Sequence, residues 1–175
     1  YAEARYITII PEIEMPGHSD EVLAVYPELR CTHLPERQGE LCIGKEATFE
    51  MMERILDEVM EVFPSEYIHI GGDEASKDNW KLCEDCQRRM QEEGLNSVEE
   101  LQSYMIERME RYLNAHGRQI IGWDEILQGG LAPNATVMSW RGEEGGIVAA
   151  NSGHDVIMSP HGYCYIDAPQ DAPPT

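Results

Sequence analysis

Tyr67-Ile68-His69-Ile70-Gly71-Gly72-Asp73-Glu74-Ala75 is a short apolar run that empties into two glycines and two adjacent carboxylates. Ile68 and Ile70 alternate with Tyr67 and His69, the period of a β-strand. Gly71-Gly72 then allow a tight turn or a close backbone approach. A strand that ends this way delivers Asp73 and Glu74 to its C-terminal edge. A capped helix start would also explain two acids, because Asp is a favoured N-cap and acidic residues suit a first helical turn. Against that reading stand several other strand ends in the chain that look alike.

Residues 6–10 are β-branched and apolar and run into Pro11-Glu12-Ile13-Glu14-Met15-Pro16-Gly17-His18, so a strand there also ends in carboxylates and a histidine. Residues 118–122 form the next strand, ending in Gly122-Trp123-Asp124-Glu125-Ile126-Leu127. Another covers 136–140 and ends in Ser139-Trp140-Arg141-Gly142. A fifth covers 155–158 and runs into Ser159-Pro160-His161-Gly162-Tyr163-Cys164-Tyr165-Ile166-Asp167. Between the strands, Phe49, Met52, Ile55, Leu56, Val59, Met60 and Phe63 recur at helical spacing, which predicts an amphipathic helix over 47–63 stopped by Pro64. Residues 77–92 read as one helix with a charged face. Ser97-Val98-Glu99-Glu100 is a capping box whose helix carries Leu101, Met105, Met109, Tyr112 and Leu113 as far as Gly117. Shorter helices fit 19–26 and part of 143–151, residues 29–44 read as a polar loop, and the Pro-rich residues 168–175 as irregular.

Strand, polar end, helix, repeated without a hairpin dipeptide, implies parallel strands joined by crossovers. An open doubly wound sheet gathers its ligand at one switch point and leaves most strand ends undecorated. Here all five strands end in acids, Trp, Tyr or His. That pattern fits a (β/α)₈ TIM barrel, whose site is shared among the C-terminal ends of many strands. A whole barrel needs eight strands and about 250 residues, so the 175 residues read as an incomplete segment of one such α/β barrel.

A hydrophobic share of 42% is that of a globular chain, enough for one domain core. With 33 acidic against 13 basic residues the net charge is -20, which disfavours nucleic acid and anionic membrane as partners and leaves neutral substrates open. No apolar run approaches a membrane span, and nothing reports targeting. Of the five cysteines, Cys83 and Cys86 form a CxxC, but a zinc ribbon needs a second such pair and Cys31 with Cys42 is not spaced like one. No metal or cofactor is therefore expected. Cys31 and Cys42 flank the polar loop, and a disulfide would close it in an oxidising periplasmic or extracellular setting, reduced thiols being the alternative.

With these motifs in view, nearly the whole chain resembles the catalytic domain of the family 20 glycoside hydrolases, the β-N-acetylhexosaminidases. The five strand-end motifs look like that family's signatures in family order, which would make the strands here numbers three to seven. The resemblance implies hydrolysis of terminal non-reducing N-acetyl-β-D-hexosamine from glycans, with retention and without an enzyme nucleophile. Ordinary retaining glycosidases set two carboxyls about 5 to 5.5 Å apart across the scissile bond, whereas family 20 is substrate-assisted. Adjacent residues of a strand, such as Asp73 and Glu74, are expected to diverge. By resemblance, Glu74 is the general acid and must arrive protonated, and Asp73 stays ionised and holds the acetamido N–H. Tyr165 would donate to the acetamido oxygen, Trp123 and Trp140 wall the acetamido pocket, Asp167 binds outer hydroxyls, and His18 supports the acid. Glu14 stands where many family members carry Asp. Asp124 and Glu125 are equally well explained as first-turn helix acids. Two rivals are a partial barrel that binds sugar without turnover, against which the intact Asp73-Glu74 pair argues, and a metal-dependent hydrolase built on His18, His69, Asp73 and Glu74, which no HExxH-type spacing supports.

Overall fold

The computed structural model of the chain describes residues 1–34 and 39–167. Five strands, β1 (Glu12–Met15), β2 (Tyr67–Gly71), β3 (Gln119–Trp123), β4 (Thr136–Ser139) and β5 (Val156–Met158), form one sheet in sequence order. Every neighbouring pair is parallel. A doubly wound sheet reverses its strand order at the switch point; the unreversed order seen here is that of a barrel wall. The fold class is thus α/β with five parallel strands. In β2 and β3, Ile68, His69, Ile70, Ile120, Ile121 and Gly122 are all buried, because helices cover one face of a parallel sheet and strand ends pack the other.

The helices are α1 (Asp20–Val25), α2 (Glu46–Val62), α3 (Asp78–Leu82), α4 (Glu84–Glu93), α5 (Val98–Ala115), α6 (Glu144–Asn151) and α7 (His161–Cys164). In α2 the predicted stripe is real: Phe49, Met52 and Leu56 are buried, and the Arg108 guanidinium of α5 lies 3.9 Å over the Phe49 ring while pairing with Glu46. At the start of α5, Ser97 Oγ accepts from the Glu100 N–H at 3.2 Å, but the Glu100 carboxylate reaches the Asn96 N–H at 2.7 Å instead of that of Ser97. The capping box therefore closes one residue further out. No described helix is long and apolar enough to cross a membrane.

Two expectations are corrected. The first strand lies at Glu12–Met15 and not at residues 6–10, which are exposed and unpaired among the described residues. Glu12 aligns with His69 and the Pro11 carbonyl accepts from the His69 N–H, so residues 6–9 run past the start of β2 with no strand opposite them. The single helix over 77–92 is two, broken at Cys83, whose backbone is extended at φ -74, ψ 120. That break lets the fully buried Trp80 donate to the Leu41 carbonyl at 3.0 Å. Of the two states the sequence left open for Cys31 and Cys42, the structure has the reduced one: both thiols are free and buried, and both lie within 4.8 Å of Cys83 and Cys86. The expected irregular tail, 168–175, lies outside the described residues.

Among the described residues β1 and β5 each pair on one side only, and Ile7, Ile9, Ile10, Ile157, Met158 and Ile166 are exposed. Unpaired strand edges beside exposed apolar side chains favour association. Expressed alone, these 175 residues should sediment as oligomers or aggregates. A monodisperse monomer with a single cooperative thermal transition would contradict this.

Candidate active site

The C-terminal end of β2 turns through Gly71 and Gly72, both in the left-handed region at φ +67 and +95. Side chains are excluded there twice over. A Cβ at Gly71 would lie 2.1 Å from Glu14 Oε2, and one at Gly72 would lie 2.6 Å from Ile126 Cγ2. Asp73 and Glu74 follow, and Glu74 is itself left-handed at φ 52, as is His18 at φ 47 at the end of β1. Non-glycine residues held in this region cost about 1–3 kcal/mol each and gather at functional sites.

That backbone overturns the expected divergence of the two acids. Because Glu74 leaves the strand conformation, its side chain swings back beside Asp73, and one atom, His18 Nε2, lies 3.3 Å from Asp73 Oδ2 and 3.2 Å from Glu74 Oε2. The histidine nitrogen and the two carboxylate oxygens all sit within 4.8 Å of one another. Gly17 closes β1 onto this turn, for a Cβ there would stand 2.8 Å from the Asp73 carbonyl. His69 is not part of the cluster. Its Nδ1 accepts from the Gly71 N–H at 3.0 Å, and its ring packs on Trp123 with centroids 4.8 Å apart. Burial holds its pKa below the ordinary value.

Three further acids shape the floor. Glu12 accepts from the Trp123 indole N–H at 2.8 Å, so Trp123 is fixed by Glu12 and His69 rather than by the acid pair. Glu14 points toward Gly71; burial, then the Asp73 charge, and hydrogen bonding to Glu12 and Asp73 push its carboxyl up to about 8. At neutral pH Glu14 therefore carries a proton. Asp124, buried in the turn after β3, is a hub. Its Oδ2 accepts from the backbone N–H groups of Trp140 and Arg141 at 3.1 and 3.2 Å, and its Oδ1 pairs with the Arg141 guanidinium.

Glu125, also buried, accepts from the Trp140 indole N–H at 3.0 Å; burial raises its pKa while Trp140 and Arg141 oppose the rise. Trp140 in turn stacks on Tyr165, with centroids 6.4 Å apart and planes 18° from parallel. Burial, then the charges of Asp167 and Asp73, raise the Tyr165 phenol. Asp167 is exposed, and among these side chains its charge reaches Tyr165. His18, Asp73 and Glu74 thus form one cluster and Trp140 and Tyr165 a second that feels the Asp73 charge, with Trp123 between β1 and β3. Sequence reasoning missed the placing roles of Glu12, Glu14, Asp124 and Glu125. The alternation Glu12-Ile13-Glu14 was a usable signal, since it puts both carboxyls on one strand face.

The glycosyl hydrolase family 20 catalytic-domain model matches residues 1–175. The chain belongs to that family. It is 53% identical over 182 residues to a β-hexosaminidase of Porphyromonas gingivalis, covering 99% of this chain and 23% of that protein. With a β-hexosaminidase of Vibrio furnissii it is 34% identical, over 99% of this chain and 30% of the other. Among solved structures, the β-N-acetylhexosaminidase of Bacteroides fragilis superposes with a TM-score of 0.87 at 35% identity, over 97% of this chain and 36% of that one. A family 20 exo-β-N-acetylglucosaminidase from Vibrio harveyi, in complex with N-acetylglucosamine, gives 0.82 at 28% identity, over 91% and 26%. The chain thus spans about a quarter to a third of the length of these relatives.

Glu14 yields a pH prediction whose sign is set by its raised pKa. The folded state keeps a proton that the unfolded chain releases near 4.5, so stability declines as pH rises from there through about 8 and then levels. In the full-length protein, Glu14→Gln should flatten that decline in urea unfolding measured from acid to mildly alkaline pH. An unchanged pH slope in the variant would refute the assignment.

Proposed function

We propose that the protein carrying this chain removes terminal non-reducing N-acetyl-β-D-hexosamine residues from glycans, with retention, and that the substrate's own 2-acetamido group is the nucleophile. Membership of the family and the printed activity of its relatives support the reaction class. The observation that carries the mechanism is the shared contact of Asp73 and Glu74 with His18 Nε2. Asp73 and Glu74 each bring a carboxylate oxygen within 4.8 Å of the other's and contact the same imidazole nitrogen, which supports reading them as one unit rather than as an acid and a nucleophile placed across a scissile bond. An enzyme nucleophile paired with an enzyme acid would need them on opposite sides, about 5 to 5.5 Å apart.

In this reading Glu74 protonates the departing oxygen while the acetamido carbonyl attacks the anomeric carbon, giving an oxazolinium ion. Asp73 holds the acetamido N–H and offsets the positive charge. Its neighbour Glu14, whose raised pKa keeps it protonated at neutral pH, adds no competing negative charge there. Glu74, now a base, takes a proton from water, which opens the ring on the original face, so two inversions give net retention. His18 is a positioning residue that contacts both carboxylates and fixes their relative placement. Tyr165 donates to the acetamido oxygen and orients the nucleophile. Trp140, aligned by Glu125 and stacked beside Tyr165, and Trp123 wall the acetamido pocket, while Asp167 receives outer hydroxyls of the glycan. Residues 1–175 would supply strands three to seven of one catalytic barrel.

Asp73→Asn keeps the shape but removes the charge opposite the oxazolinium, so kcat of the full-length enzyme on a chromogenic N-acetylglucosaminide should fall by about 10²-fold or more with the fold retained. A thiazoline mimic of the intermediate should inhibit tightly, and Tyr165→Phe should weaken that inhibition. Activity of Asp73→Asn within about threefold of the parent would reject the role given to it.

A further inference from the structure

Cys31, Cys42 and the Cys83–Cys86 pair come from separate stretches of the chain and meet in one buried cluster that is distinct from the group formed by His18, Asp73 and Glu74. Cys31 and Cys42 arrive on facing segments. An antiparallel bridge joins Arg30 to Leu41, and the Cys42 N–H bonds the Leu29 carbonyl at 2.8 Å, so the residues beside that bridge project together. Cys83 is the extended residue between α3 and α4, and Cys86 stands in the first turn of α4. The Sγ atoms of Cys31 and Cys86, of Cys42 and Cys83, and of Cys42 and Cys86 are 3.7, 3.7 and 3.6 Å apart. All four fall within 4.8 Å of one another.

Those separations choose between the chemistries open to four thiols. A disulfide needs sulfurs about 2.05 Å apart. Cysteines that merely fill a core behave as small hydrophobes and have no reason to converge four at a time. Four thiolates on a tetrahedral zinc ion, each about 2.3 Å from the metal, stand about 3.8 Å from one another. We propose that Cys31, Cys42, Cys83 and Cys86 form a structural tetrathiolate zinc site.

Two features of the surroundings fit that occupant. Gly44 presses against the Cys83-x-x-Cys86 backbone so closely that a Cβ would lie 2.1 Å from the Asp85 carbonyl carbon and 2.3 Å from the Cys86 nitrogen. Only glycine lets the Cys42 loop reach the other pair. The Gly44 N–H also donates to the Cys42 sulfur, the kind of backbone support that thiolate ligands recruit. A cavity of about 210 Å³, lined by Cys31, Cys83, Lys45 and His33 among others, gives an entry path. As each zinc–sulfur bond forms, its thiol releases a proton to solvent, and no electrons are transferred.

The consequence is mechanical. The two tied loops are the connection after β1, which carries His18, and the connection after β2, which carries Asp73 and Glu74. Zinc would staple together the two segments whose side chains meet at the active site, whatever reaction occurs there.

The test is the metal content of the full-length protein, purified anaerobically without chelator. Elemental analysis should find about one zinc per chain, dropping to less than about a tenth in Cys83→Ser and in Cys86→Ser but unchanged in Cys164→Ser, whose parent thiol is exposed and outside the cluster. Should those variants misfold, the unaltered protein still decides. Stripped with a chelator under reducing conditions, it should lose thermal stability and then take up one cobalt(II) with the sulfur-to-metal charge-transfer absorption of a tetrahedral thiolate site. Metal-free protein that takes up neither ion, zinc content indifferent to the serine variants, or recovery of these cysteines as disulfides would each overturn the proposal.

Discussion

One imidazole nitrogen touching two neighbouring carboxylates is the contact on which the rest of this site depends. His18 reaches Asp73 and Glu74 only because β1 and β2 are adjacent and parallel, so that their C-terminal ends emerge side by side. It also requires the chain to leave β2 in a left-handed turn. Gly71 and Gly72 make that turn without side chains, and Glu74 continues it at a cost in backbone energy. Phe49, Met52 and Leu56 of α2 are buried in the same core as Ile68 and Ile70 of β2. Loosen any of these and the acids revert to pointing opposite ways from an extended backbone.

Around this contact the buried carboxyls divide the work by their surroundings. Glu14, desolvated and beside Asp73, is neutral at physiological pH. Asp124 gathers the backbone of the β4 end and the Arg141 guanidinium, so its charge is met by several donors. Glu125 aims the Trp140 indole, and Trp140 aligns Tyr165. A chain with 33 acidic residues is thus not merely a solvated acidic surface, since several of its acids are interior scaffolding.

Much of this was legible in the sequence, and what was not has physical reasons. The five strands and their polar ends could be read because alternation followed by Gly, Pro, Trp and acids survives as a local pattern; the β2 end was read residue by residue. The first strand was misplaced because a β-branched apolar run at residues 6–10 has strand propensity but no partner, and pairing decides. The divergence of Asp73 and Glu74 followed from strand geometry that Glu74 does not adopt. Asp124 and Glu125 do stand in the first turn of a short 3-10 helix, as the sequence allowed, but their side-chain partners Trp140 and Arg141 come from the next strand end and left no local signal. The cysteine cluster was invisible for a similar reason. Cys31 and Cys42 are brought together by a backbone bridge, not by a CxxC spacing, and their partners lie 41 to 55 residues away.

If neither acid attacks the sugar, then the group that attacks the anomeric carbon belongs to the substrate itself. The most direct measurement is kcat of the full-length enzyme across N-acetylglucosaminides bearing zero to three fluorines on the acetamido methyl, with the leaving group held constant. Each fluorine drains electron density from the carbonyl oxygen without much change in shape, so kcat should fall steeply and monotonically along the series. A flat kcat, with only KM responding, would place the nucleophile on the enzyme and contradict the account.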